Sequence, residues 1–166
     1  WFYNVLMGAK PTRALLEKAG GMVDSPLISR FDLKPIFKRT GVEVATPERM
    51  SKLNTEQRKR SVILVQDAFT RYFDSKVLAD WVELIHVLGY KAYIVPFSPN
   101  GKPLQVLGFL GAFEKAAQKN AQMLNKLSQF DIPLIGLDPA MTLVYRQEYQ
   151  KLLGDNMKAS VLLPQE

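Results

Sequence analysis

The chain has 166 residues, 47% of them apolar, and a formal net charge of +6, a size and composition suited to one domain with an appended element. With no cysteine and one histidine, it excludes disulfides, thiolate zinc sites, cysteine-ligated iron–sulfur clusters and His-rich metal sites within its own length. No apolar run approaches the roughly 20 residues of a membrane-spanning helix, and no signal peptide opens the sequence.

Residues 1–60 hold 12 Lys/Arg against 6 Asp/Glu and carry the whole excess charge, while residues 61–166 hold 10 against 10. The sequence predicts a basic helical linker region over 1–60. A short amphipathic helix is expected over 11–19, stopped by Gly20-Gly21, and another over 33–39. Thr46-Pro47-Glu48 supplies a capping hydroxyl, a first-turn proline and an acid, so a helix starts there. Residues 54–60 are strongly charged and read as the link into the body. The basic front suits an acidic partner, an anionic membrane surface or simply a solvated helical surface. Arg58-Lys59-Arg60 lacks interleaved aromatics and a recognition-helix pattern, which argues against nucleic acid.

The body alternates strand and helix patterns. Residues 61–66 form a β-branched apolar run, hence a buried strand, followed by an aromatic-rich loop over 67–75. From 76 to 88, Val77, Leu78, Trp81, Val82, Ile85 and Leu88 share one helical face, and Gly89 ends the helix. A second strand over 91–95 leads into the turn-rich loop 97–103. A long helix is expected over 106–130, with Phe109, Phe113, Ala117, Met123, Leu124 and Leu127 on its apolar side. The third strand covers 132–137. Asp138 then caps a helix over 140–153, with Pro139 at its first position, where a missing N–H costs nothing. A fourth strand lies at 161–163. This order predicts an α/β fold, a Rossmann-like or flavodoxin-like open parallel sheet of about four strands with right-handed crossovers and an N-terminal helical extension. The chain starts without Met and ends just past a strand, as expected of a piece of something longer.

In such a sheet the loops after the strands face a common crevice. Asp67 follows the first strand, where an acid either caps the next turn or binds ribose, metal or a phosphoryl group. Ser98-Pro99-Asn100-Gly101-Lys102 follows the second, either as a plain turn or as an anion cradle. No Walker loop and no G-x-G-x-x-G turn occurs. His86 reads as a packed or surface residue with no nucleophile beside it. Tyr145, Arg146, Glu148 and Tyr149 read as helix surface facing solvent or a neighbouring domain. Taken alone, these residues make no catalytic machine.

Three phrases are more particular: Val65-Gln66-Asp67-Ala68-Phe69-Thr70-Arg71-Tyr72-Phe73-Asp74, Pro96-Phe97-Ser98-Pro99-Asn100-Gly101-Lys102, and the run from Gly136-Leu137-Asp138-Pro139 to Arg146-Gln147-Glu148-Tyr149. Together they resemble the C-terminal region of the bacterial FAD-linked, iron–sulfur-containing D-2-hydroxyglutarate dehydrogenases. The resemblance is clear over 61–166 and looser over 1–60. It implies that 61–166 is the first half of a cysteine-rich, CCG-type domain, as in heterodisulfide-reductase-type and glycolate-oxidase iron–sulfur subunits. The family's loop cysteines are absent here, so the half is thiol-free. The resemblance further implies upstream FAD and ferredoxin-like domains in the same chain, with FAD and a 4Fe–4S cluster in the parent and no cofactor in this piece. The parent would oxidise D-2-hydroxyglutarate to 2-oxoglutarate and pass electrons to an acceptor such as a quinone. It would be cytoplasmic, with peripheral contact at the inner membrane face through the basic front. This piece would serve a structural or electron-exit role, with Asp67, Ser98, Asn100, Lys102, Asp138 and Arg146 facing a cluster or neighbouring domain. A non-redox Rossmann-like module gripping a small anion at 98–102, and a purely structural interaction domain, stay open as alternatives.

Overall fold

Alternating apolar side chains on successive strands build a core on both faces of one sheet. In the computed structural model, which describes residues 2–20 and 26–165, the strands are β1 (Glu43–Val44), β2 (Ser61–Val65), β3 (Lys91–Ile94), β4 (Leu134–Gly136) and β5 (Val161–Leu162). Their order is β1-β3-β2-β4-β5, and every neighbouring pair is parallel. Ile63, Val65, Tyr93, Val95 and Leu134 enter one core, while Leu64, Ala92 and Ile94 enter the other. That two-residue period, with little polar surface on either side, is what a parallel sheet covered on both faces requires.

The helices are α1 (Phe2–Gly8), α2 (Lys10–Gly20), α3 (Lys34–Thr40), α4 (Pro47–Met50), α5 (Thr55–Lys59), α6 (Ser75–Val87), α7 (Lys102–Val106), α8 (Leu110–Ser128), α9 (Pro139–Leu143) and α10 (Tyr149–Leu153). One face of the sheet is covered by α8, α10 and α4, through Phe113, Ala117, Leu124, Leu127, Tyr149 and Met50. The other is covered by α6 and α3, through Leu78, Val82, Ile85, Ile36 and Phe37. Two π-helical segments, Phe69–Phe73 and Val144–Glu148, follow β2 and α9. Among the described residues, no helix is long and apolar enough to cross a membrane.

The open parallel α/β sheet matches the sequence expectation, and four of its strands fall where the pattern put them. The fifth, β1, lies inside the basic front. It is a two-residue edge strand with both side chains exposed, so no hydrophobic period marks it. Residues 54–60, expected as a link, contain α5. Asn54 Oδ1 accepts the Gln57 N–H at 2.9 Å and Gln57 Oε1 accepts the Asn54 N–H at 2.9 Å, a capping box that lets a polar stretch hold a helical turn. The expected helix over 106–130 starts only at Leu110, as α8, and a short helix, α7, begins inside the loop expected over 97–103. Gly108 adopts a left-handed φ of 81° between α7 and α8, a conformation open to glycine at little cost, and Phe109 is turned to the outside. The loop expected over 67–75 is largely the first π-helical segment.

Candidate crevice at the carboxyl edge

The chain leaves β2 for β3 on one side and crosses back to β4 on the other. Connections therefore diverge between the carboxyl ends of β2 and β4, where open α/β sheets form their crevice. Just past the paired Val65 and Gly136, the two strands deliver Gln66-Asp67 and Leu137-Asp138.

Both acids are engaged by backbone. Asp67 is buried; its Oδ1 accepts the N–H groups of Phe69 (2.7 Å) and Thr70 (3.0 Å), and its Oδ2 accepts the Thr70 hydroxyl (2.7 Å). These bonds tie down the start of the first π-helical segment. Asp138 Oδ1 accepts the Met141 N–H at 2.8 Å and caps α9, with Pro139 in the first turn as the sequence predicts. The seat of α9 depends on Gly136. A Cβ there would overlap the Thr142 side chain, whose hydroxyl donates to the Asp138 carbonyl at 2.7 Å.

The loop after β3 is stitched to the helical run after β4. Asn100 is buried; its Oδ1 accepts the Lys102 N–H (3.1 Å), its Nδ2 faces Met141 Sδ (3.4 Å), and its carbonyl accepts the Tyr149 hydroxyl (2.8 Å). The Lys102 ammonium donates to Glu148 Oε1 at 2.5 Å and Gln105 Oε1 at 3.0 Å. The other Glu148 oxygen is buried without a hydrogen-bond partner. Ser98 lines a small cleft of about 180 Å³ with Gln66, Phe97, Asn120 and Tyr145. Arg146 lies exposed on the same π-helical segment as Tyr145 and Glu148.

The structure thus draws Asn100, Lys102 and Asp138 together around the run from α9 to α10, and places Asp67 and Ser98 on the neighbouring strand ends. Three further residues belong to this assembly. Gln66 is buried and donates through Nε2 to the Val95 carbonyl at 2.8 Å, bridging β2 and β3 at their carboxyl ends. Tyr145 and Tyr149, read from the sequence as helix surface, are core residues with 3% and 0% exposure. Their four-residue spacing stacks them edge to face at 5.2 Å between centroids, and that spacing was the signal available. Burial pushes the Tyr145 hydroxyl well above the usual tyrosine range, and the Asp67 charge pushes it further. Burial does the same to Tyr149, with a smaller push from Tyr145.

A larger concavity, about 850 Å³, lies at the opposite edge, where β2 and β3 begin at Ser61 and Lys91. His86 and Tyr90 line it. Its Lys91 ammonium is committed to the Gly41 carbonyl and to Glu43 Oε1 at 3.3 Å. Topology, not size, selects the crevice at the carboxyl edge.

Neither crevice nor groove fits an iron–sulfur cluster. The chain has no thiol, and the described residues contain no group of three His, Asp or Glu side chains able to share a metal ion. Asp67 and Asp138 are occupied as caps. A dinucleotide fits no better, since no glycine-rich phosphate turn follows any strand.

The fold and its crevice define a Rossmann-like α/β segment whose polar residues hold loops together. No family model matches the chain, and no solved structure does. Among curated proteins it is 54% identical over 164 residues to the D-2-hydroxyglutarate dehydrogenase of Pseudomonas putida, which aligns with 99% of this chain. It is 41% identical over 165 residues to the enzyme of that name from Escherichia coli, and 39% identical over 154 residues to that of Haemophilus influenzae. The chain spans only 16%, 16% and 15% of those three proteins. It is therefore a homologue of one segment, about a sixth of the length, of D-2-hydroxyglutarate dehydrogenases.

Proposed function

We propose that this chain works as a non-catalytic α/β segment of an FAD- and 4Fe–4S-dependent oxidoreductase that converts D-2-hydroxyglutarate to 2-oxoglutarate. The conversion removes two electrons and two protons from the hydroxy acid, and the electrons pass to an acceptor of the quinone class. The observation that carries the reading is the 54% identity, held over 99% of the chain, to a dehydrogenase of that name. The segment's side chains support its non-catalytic role. Asp67 and Asp138 cap, Lys102 pairs with Glu148, and Asn100 ties two loops together. FAD and the cluster would be held by upstream FAD and ferredoxin-like domains. In this reading the enzyme is cytoplasmic, and the basic front touches the inner membrane face.

The test uses the full-length enzyme, purified anaerobically. Flavin and cluster absorbance, with dye reduction by D-2-hydroxyglutarate and not by its L-isomer, is expected. A colourless protein inactive on the D-acid would overturn the reading. The isolated 166-residue chain is expected to stay colourless after incubation with iron and sulfide.

A further inference from the structure

Residues 106–112, Val-Leu-Gly-Phe-Leu-Gly-Ala, are all exposed, and none carries a polar side chain. Val106 is 71% exposed, Leu107 69%, Phe109 59% and Leu110 63%. An apolar run of this kind on a folded surface marks a docking site more often than chance exposure does. The backbone points the same way. The segment ends α7, turns at Gly108 and begins α8, the 19-residue helix of the fold. Phe109 occupies the capping position of α8, and no side chain caps it. A helix start normally recruits Ser, Thr, Asp or Asn; here the capping position went to an aromatic that faces outward.

The ridge has a socket beside it. Leu110 and Phe113 of α8 and Leu152 of α10 line a groove of about 460 Å³, with Gln105, Gln147, Glu148 and Lys151 at its polar edge. Gly111 has open space where a side chain would stand, so a partner backbone can approach closely. In the chain the ridge follows α7, which starts where the loop after β3 ends.

We infer that this ridge and groove are the surface on which the rest of the dehydrogenase polypeptide docks, through an apolar face. This rests on the reading that the chain is one segment of a longer oxidoreductase. The relatives carry the matching segment within polypeptides about six times its length, since it covers 16% of them. A covalently joined partner is present at high effective concentration, so an apolar patch of a few side chains suffices to hold it. Neither a second copy nor a lipid surface has that advantage.

The experiment is hydrogen exchange, read by mass spectrometry over 104–113, on the 166-residue chain alone and on the full-length enzyme carrying it. Exchange at least tenfold slower in the full-length enzyme is expected. The double substitution Leu107→Lys and Phe109→Lys should leave the isolated chain's melting unchanged, because both side chains are exposed. In the full-length enzyme it should return exchange to within twofold of the isolated chain. Equal exchange in the two contexts would overturn the inference. So would protection in the isolated chain that is lost on dilution, which assigns the ridge to a second copy, or protection that appears on adding vesicles with anionic lipid. Turnover of D-2-hydroxyglutarate is measured on the same sample. An active enzyme with an unprotected ridge sinks the docking and spares the reading, and a protected ridge in an enzyme inactive on the hydroxy acid does the reverse.

Discussion

At the scale of single residues, two tyrosines hold the crevice. The Tyr149 ring is wholly buried, and its hydroxyl donates to the Asn100 carbonyl, so one side chain fixes the loop after β3 against the helical run after β4. Tyr149→Phe keeps the ring and leaves a buried carbonyl unpaired. A loss of about 1–3 kcal/mol is expected, read from urea unfolding; an unchanged midpoint would mean that the bond is replaced at no cost. Ionisation gives an independent test. Unfolded tyrosine ionises near pH 10, while burial holds Tyr145 and Tyr149 protonated above that in the native state. Their contribution is fully present below pH ~10 and is lost as pH rises beyond it. Alkaline titration of tyrosinate absorbance should therefore show Tyr145 and Tyr149 ionising only as the fold opens. Tyr145→Phe should make the fall of stability with pH shallower. Ionisation of Tyr145 and Tyr149 before unfolding would contradict the burial argument.

At the scale of elements, the fit of α9 on β4 depends on one missing methyl group. Gly136→Ala drives a Cβ into the Thr142 side chain, itself buried and bonded to the Asp138 carbonyl. Overpacking of this kind costs about 1–3 kcal/mol or more. Thr142→Ala in the same chain removes the nearest atoms, so the double variant should be more stable than the two single losses add up to. Strict additivity, measured by thermal unfolding of all four proteins, would show that the strand end yields instead. The sequence disclosed the strands of the body because buried parallel strands are written as β-branched apolar runs, and it disclosed α9 because Asp138-Pro139 is a strong start signal. It hid β1, whose two residues are exposed. It hid the break at Gly108, because apolar residues continue at helical spacing on both sides of it. In the crevice, Asp67 and Asp138 were legible as strand-end acids. The roles of Gln66 and Tyr149 were not, since each depends on a partner distant in the chain, Val95 and Asn100.

At the scale of the whole molecule, the basic front is built into the body. β1 pairs with β3, and the Ala45 N–H donates to the Ile94 carbonyl at 2.8 Å. Ala45 and Met50 lie fully buried in the core that α8 and Tyr149 share. Arg39 pairs with Glu83 of α6, and Glu43 with Arg49 at 3.0 Å. Those exposed pairs add little to stability, so Met50 is the contact to test. Met50→Ala removes a fully buried side chain and should cost about 2–5 kcal/mol. If front and body unfold together, that loss reaches β2, whose central amides exchange only through global opening. Exchange at Ile63 and Leu64 in the full 166-residue chain should then accelerate by the whole stability loss, matching the fall seen in urea unfolding. Acceleration confined to 43–59, with β2 unmoved, would instead make the front a unit that opens on its own. Shared buried contacts favour the first outcome, because Met50 has no core of its own to leave.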